Sequence, residues 1–143
     1  MLQRVQSIWL LLAAAFAAIT FRFPFYTGGR IVDAATNAVA HGELNATSSI
    51  WLSILTVLTG AIAFVTIFLF DNRKLQLKLC YLGIFLTIVL LVVYFLEIGK
   101  FVAGTGTFAL SCIFHFAILG FYILAARGIW NDEKLVKSMD RLR

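Results

Sequence analysis

Long apolar stretches separated by short polar segments dominate the chain. Four stretches of mostly apolar residues run over 7–25, 50–70, 79–96 and 108–126. A helix needs about 20 such residues to cross the hydrocarbon core of a bilayer, and in lipid a helix satisfies its backbone polar groups within its own segment. None of the stretches alternates apolar and polar residues as barrel strands do. The pattern therefore predicts an all-α integral membrane protein, a bundle of four transmembrane helices.

The first stretch is also compatible with a cleaved signal peptide, because it is N-terminal and rich in alanine. Its apolar run is long, however, and three more spans follow it. We therefore expect it to be retained as a transmembrane helix, with residues 1–143 forming one membrane domain.

The connections differ in length and character. In the longest, the outer loop over 26–49, Gly28-Gly29 is expected to make a turn, and the short strand 30–32 could pair with 38–39 as a small hairpin. An irregular loop is the alternative. The outer segment 99–107 holds three glycines and is expected to be short and flexible.

The inner connection is tight. Residues 71–78 form a short polar loop in which Asn72 can cap the third helix, so the second and third helices should form an antiparallel hairpin. After the fourth span, Asn131 is expected to be the N-cap of a separate amphipathic helix in the tail 127–143. That helix either lies on the inner leaflet, near anionic head groups, or docks a cytoplasmic partner.

Composition excludes most other classes of protein. Hydrophobic residues make up 62% of the chain and charged residues 13%, whereas a soluble domain has about 25% charged residues. Disorder, collagen, disulfide scaffolds and nucleic-acid-binding modules are excluded by the same composition. Cys80 and Cys112 fit no metal or redox spacing and are expected to be small buried hydrophobes.

The net charge of +5 is unevenly placed along the chain. Arg22, Arg30 and Lys100 fall on one side of the predicted bundle. The other nine basic residues fall on the opposite side: Arg4, Arg73, Lys74, Lys78, Arg127, Lys134, Lys137, Arg141 and Arg143. The positive-inside rule therefore predicts that both termini and the 71–78 loop are cytoplasmic. Aromatic belts fit this orientation, with Trp9, Tyr81, Tyr122 and Trp130 expected at the cytoplasmic interface and Tyr26, Trp51 and Tyr94 at the outer one.

Candidate chemistry is sparse. The chain has no recognisable catalytic motif, and seven acidic residues with two histidines allow few acid–base pairs, so we expect no enzyme, no cofactor and no metal site. Arg22, Glu97 and His115 all fall in the outer half of the predicted spans and could meet as a proton-sensitive or ligand-binding cluster. Alternatively, Arg22 and Glu97 reach the interface separately and His115 bonds a neighbouring helix.

Small residues at helical spacing predict close helix contacts. Ala14 and Ala18, with Ala13 and Ala17 beside them, form such spacings on the first helix. Thr56 with Gly60, and Ala117 with Gly120, do so on the second and fourth.

Three cytoplasmic stretches carry a resemblance: Met1–Ser7, Asn72–Cys80 and Asp132–Arg143 with its terminal Asp-Arg-Leu-Arg. In order and spacing they resemble a family of small uncharacterised bacterial inner-membrane proteins, a domain of unknown function. The resemblance implies four spans, a longer first outer loop and the bacterial cytoplasmic membrane. It implies no activity and no catalytic residues.

Two functional hypotheses follow. The first is a non-enzymatic accessory subunit of a larger inner-membrane complex, such as protein export or insertion machinery or a respiratory complex. It would contact other membrane subunits through its bundle and cytoplasmic partners or anionic head groups through a basic surface, with no direct nucleic-acid binding. That surface comprises Arg73, Lys74, Lys78, Lys134, Lys137 and Arg141. The second is a small transporter or channel that uses Arg22, Glu97 and His115.

Overall fold

Four helices and a small sheet make up the described part of the chain. The computed structural model describes residues 2–33, 38–69, 72–102 and 104–140. The helices are α1 (Leu2–Ile19), α2 (Ile50–Phe68), α3 (Arg73–Ile98) and α4 (Cys112–Asp140), and the strands are β1 (Tyr26–Asp33), β2 (Ala38–Leu44) and β3 (Thr107–Phe108).

The helices form an up-and-down bundle in which each packs on its neighbours around a ring. α1 packs against α2 and α4, and α3 packs against the same two helices from the opposite side. We call the end where α1 and α3 begin the basic end, and the opposite end, which carries the strands, the sheet end. The core has two parts. One lies around Leu10, Ala63 and Tyr122, and the other lies near the sheet around Phe25 and Tyr94.

Three of these helices, α2, α3 and α4, are long and apolar enough to cross a membrane, which indicates a membrane protein. α1 contributes a shorter apolar helix over Val5–Ile19. The expected first span over 7–25 is therefore too long, because the helix gives way to turns at Thr20–Phe23, just before Pro24. A residue before proline disfavours helical backbone, and the Phe25 N–H already donates to the Leu44 carbonyl of β2.

α3 begins earlier than its apolar run. The Asn72 side chain accepts a hydrogen bond from the Leu75 N–H at 3.4 Å, which confirms the predicted cap. With the cap in that position, residues 73–78 form the first turns of α3, so the prediction of a loop over 71–78 was wrong. Residues 70 and 71 lie outside the described part of the chain.

α4 is one continuous helix. It begins at Cys112 and not at residue 108, because Thr107–Phe108 pairs with β1 as β3. It then continues past Asn131, so the expected break and N-cap at that position, and the separate tail helix, were wrong. The polar residues after Arg127 extend the helix because packing on α1 outweighs the capping preference of one asparagine.

The all-α expectation is corrected by a three-stranded antiparallel sheet in the order β2-β1-β3. The hairpin alternative for the first outer loop is confirmed: Ile31 pairs with Val39, and the pairing continues to Tyr26 with Leu44. Thr36 and Asn37, the expected turn of this hairpin, are outside the described residues. The 99–107 segment joins the same sheet, since the Val102 N–H donates to the Gly29 carbonyl at 2.9 Å.

The glycine pair lies inside β1 and not at a turn. Gly28 pairs with Gly42, and Gly29 pairs with His41. A Cβ on Gly28 would lie 2.7 Å from the backbone of Gly106. Glycine is needed here because another backbone segment approaches the strand closely, which is a common reason for glycine within a strand.

Candidate functional site

Buried threonines do not line a polar path through the bundle. Thr56 and Thr59 of α2 donate to the carbonyls of Leu52 and Leu55 at 2.7 and 2.8 Å, and Thr87 of α3 donates to Gly83 at 2.7 Å. Each hydroxyl is satisfied within its own helix, four residues back, as is typical of threonine in apolar helices. These side chains are therefore packing residues.

The structure places the three predicted polar residues at the sheet end but in different surroundings. Glu97 forms an ion pair with Lys100, with Nζ 2.6 Å from Oε1. Arg22 is exposed in the turns after α1, and His115 is buried in the first turn of α4, about one turn nearer the helix start than expected. Among residues 2–33, 38–69, 72–102 and 104–140, no hydrogen bond or ion pair joins the three side chains to one another.

His115 lies in an aromatic cage. Its ring is 1% exposed, and it meets Tyr94 and Phe25 edge to face, with centroids 4.5 and 4.9 Å apart. By distance and angle, neither imidazole nitrogen forms a hydrogen bond with a described residue, and neither does the Tyr94 hydroxyl. The Ser111 backbone lies near the imidazole, and the Thr56 side chain lies near the hydroxyl. Tyr94 was expected at the outer interface but is fully buried, with Phe25 stacked on its ring at a centroid distance of 4.6 Å.

Tyr122 is also part of the core and not of an interfacial belt. Its ring crosses α3 at Gly83, where a Cβ would lie within 3 Å of the ring atoms. Its hydroxyl then donates to the Thr59 carbonyl of α2 at 2.5 Å. One side chain thus connects three helices, and glycine at position 83 makes room for it. The small-residue patterns identified in the sequence did not include Gly83.

The predicted small-residue contacts are formed in part. Ala13 and Ala17 are buried, and a Cβ on Gly60 would lie 3.3 Å from the Ala17 Cβ, so α1 and α2 approach closely there. Ala18 is exposed, and the space around Gly120 is open within 4 Å.

Two buried glutamines connect helices at the basic end. Gln6 of α1 donates to the Asp132 carboxylate of α4, and its side chain packs where Gly128 leaves room. Gln76 of α3 donates to the Thr66 carbonyl of α2 at 3.2 Å. Sequence reasoning missed both, since each lies in a polar stretch that reads as solvent-exposed.

The predicted basic surface is partly described. Arg73 is half-buried, and Lys74, Lys78 and Lys134 are exposed at the basic end. The side chain of Lys137 and the whole of Arg141 lie outside the described residues. At this end the described side chains include five basic residues, the fifth being Arg127, and two acidic ones, Asp132 and Glu133.

A groove of about 230 Å³ lies between α3 and α4 towards the basic end. We call it the α3–α4 groove. It is lined by Tyr81, Ile84, Ile123, Ala126, Arg127 and Trp130. Arg127 is the charged member of an otherwise apolar and aromatic lining.

The described side chains offer little for covalent or metal chemistry. No group of three His, Cys, Asp or Glu side chains is close enough to hold a metal ion within the described ranges. Cys80 is buried in the core, as expected, and Cys112 is half-buried; both are free thiols. The arrangement is suited to packing and to surface contact.

Comparison with known proteins places the chain in a family without assigning it an activity. A search of curated proteins and a search of solved structures each gave no significant match. A family model described as a domain of unknown function, DUF4293, matches residues 2–142, which is nearly the whole chain. The resemblance inferred from residues 1–7, 72–80 and 132–143 is thereby confirmed, and the chain belongs to the DUF4293 family.

Proposed function

We propose that this protein is a non-enzymatic accessory subunit of a larger assembly in the bacterial inner membrane. The observation that carries the proposal is that most residues of each candidate span are not buried by the rest of the chain. In the most apolar window of each candidate span, between 28% and 33% of the residues are buried. Large apolar side chains such as Phe64, Phe85 and Phe116 point away from the bundle. These faces are available to lipid and to the helices of other subunits.

The charge distribution supports a cytoplasmic basic end in this proposal. Lys74, Lys78, Arg127 and Lys134 are exposed there. The sheet end has the exposed Arg22 and Arg30, and its Lys100 is paired with Glu97. Basic residues flanking spans are retained on the cytoplasmic side. The basic loop and tail would then contact a partner's cytoplasmic surface.

Site-specific crosslinking in the native membrane tests the proposal. A photoreactive phenylalanine analogue is placed singly at Phe64 of α2, Phe85 of α3 and Phe116 of α4, all of which are exposed. A subunit should crosslink to the same protein from one of these faces and not from the others, and that protein should copurify stoichiometrically in mild detergent. Non-specific collisions would label the three faces alike.

Charge variants sharpen this experiment. Replacing Lys74 and Lys78 by glutamine should reduce copurification, whereas Arg30→Gln at the sheet end serves as the control and should not. The proposal fails if all three positions yield only lipid adducts or crosslinks between copies of this chain.

The alternative of a small transporter or channel is favoured by one observation, the unpartnered polar atoms of His115 and Tyr94 inside the bundle. A solute or proton could pair with them in transit. Reconstitution into vesicles with a pH-sensitive dye tests this alternative. Proton transport across the vesicle membrane should require His115. If the transport rate is unchanged in His115→Phe, the alternative is wrong.

A further inference from the structure

The α3–α4 groove combines apolar and aromatic side chains with one cation, Arg127. Ile84, Ile123 and Ala126 form the apolar part, while Tyr81 and Trp130 flank it and are 57% and 55% exposed. Tryptophan and tyrosine prefer the level of the lipid head groups, where one part of the ring is dry and its polar edge is wet. The groove therefore spans the boundary between acyl chains and head groups in a bilayer.

Further cations continue the groove towards the end of the bundle. α3 and α4 run antiparallel, and Gly83 lies against Tyr122. Lys78 is five residues before Gly83 and Arg127 is five residues after Tyr122, so these two cations lie at about the same level. Lys74 is one turn beyond Lys78, and Lys134 is one turn beyond Trp130, each on the same helix face as its neighbour.

Of the two acidic side chains described at this end, Asp132 is turned away from the groove. The Asp132 carboxylate accepts a hydrogen bond from Gln6, so it faces α1 and not α3. Arg127 and Lys78 form no ion pair with any acidic side chain that the structure describes. An anionic group beside Arg127 would therefore be attracted by several exposed cations.

We propose that the α3–α4 groove is a binding site for an anionic phospholipid of the bilayer. An acyl chain lies against Ile84, Ile123 and Ala126, between the rings of Tyr81 and Trp130, and the headgroup phosphate pairs with Arg127. An arginine guanidinium suits this role because it offers a planar fork of donors to phosphate oxygens. The proposal requires only that the bundle lies in a bilayer, and it is independent of whether the protein is a subunit.

Trp130 provides a reporter inside the site. The chain has three tryptophans, so Trp9→Phe with Trp51→Phe leaves Trp130 as the only one. This variant is reconstituted in phosphatidylcholine vesicles that contain increasing fractions of either brominated phosphatidylglycerol or brominated phosphatidylcholine. Bromine quenches tryptophan on contact, so the two quenching curves give the relative affinity of the site for the two lipids.

We expect phosphatidylglycerol to be preferred at Trp130 by about fivefold, the preference that one phosphate–arginine attraction near a membrane surface supplies. Arg127→Gln should abolish most of this preference, and Arg127→Lys should retain part of it. Arg22→Gln removes one exposed charge at the sheet end and should leave the preference unchanged.

A second reporter separates a site from general attraction. Trp51 lies at the start of α2, at the sheet end, and is 68% exposed. A variant with Trp51 as its only tryptophan should show equal quenching by the two lipids.

Three results would overturn the proposal. The first is equal quenching of Trp130 by both lipids. The second is a preference that survives Arg127→Gln. The third is protection of Trp130 from both lipids, which would mean that protein, such as a second copy of the chain, covers the groove.

Discussion

Gly83 shows how a single missing side chain organises the core. The Tyr122 ring occupies the space that a Cβ at position 83 would need, and this placement lets its hydroxyl reach the Thr59 carbonyl on a third helix. Gly83→Ala forces the ring to move and should lower the free energy of unfolding by about 2 kcal/mol, as overpacking typically does.

Thermal unfolding in detergent measures this effect, and Gly120→Ala is its matched control. The space around Gly120 is open within 4 Å, so alanine there should be neutral or stabilising by up to about 1 kcal/mol through helix propensity. Equal losses at the two glycines would contradict the role assigned to Tyr122.

His115 tests a different kind of residue-scale effect. Both of its imidazole nitrogens are buried and lack a partner among the described residues, and an unsatisfied buried polar group costs about 1–3 kcal/mol. His115→Phe removes these atoms and retains ring contacts with Phe25 and Tyr94.

The variant should therefore unfold at an equal or higher temperature than the parent. A marked loss of stability would mean that the imidazole has a partner, such as the nearby Ser111 backbone. Tyr94→Phe, which removes one unpartnered hydroxyl beside it, provides a parallel measurement.

At the scale of elements, the polar tail is either the continuation of α4 or a separate helix that begins at Asn131. Asn131 is exposed and lies within the helix, not at an N-cap. Within a helix, alanine is better than asparagine by about half a kcal/mol and glycine is worse than alanine by about 1 kcal/mol. At an N-cap the order of stability differs. Replacing asparagine there by alanine costs about 1 kcal/mol, and replacing it by glycine costs only a few tenths.

We expect the melting temperatures to fall in the order Asn131→Ala, parent, Asn131→Gly. If Asn131→Gly instead melts at a higher temperature than Asn131→Ala, Asn131 is an N-cap and α4 is broken there, as the sequence predicted. Both substitutions are at one exposed position, so each serves as the control for the other.

At the scale of the molecule, the bundle has two unlike ends. Lys74, Lys78 and Lys134 are exposed at one end, and the three-stranded sheet and the Glu97–Lys100 ion pair lie at the other. If the basic end is cytoplasmic, Asn131→Cys should react with a membrane-impermeant maleimide only after cells are permeabilised, and Thr47→Cys should react in intact spheroplasts. Both positions are exposed.

The labelling is done with Cys80 and Cys112 replaced by alanine, since these are the chain's two native thiols. Labelling of Asn131→Cys in intact spheroplasts would reverse the proposed orientation. Equal labelling of both positions in intact spheroplasts would contradict a fixed orientation.

Local chemistry predicted part of this structure. The apolar stretches predicted α2 closely, because a helix that must cross lipid is defined by its own residues and needs no distant partner. The cap at Asn72 was also predicted, since it involves a side chain and a backbone N–H three residues apart.

The sheet and the candidate site depend on contacts between distant residues. Gly28-Gly29 reads as a turn in isolation, and it becomes a strand only because Gly106 and β2 pack beside it. Gln6 reads as a surface residue until Asp132, 126 positions later, accepts its hydrogen bond.

The sequence by itself therefore determined the apolar helices, the uneven charge and the family, because hydropathy and charge belong to single residues. Only the tertiary structure decided where α1 ends and α4 begins, that three strands pair, and which polar side chains meet. It also decided that Tyr81, Arg127 and Trp130 line one groove, because helix packing brings residues some 50 positions apart in the sequence to a single surface.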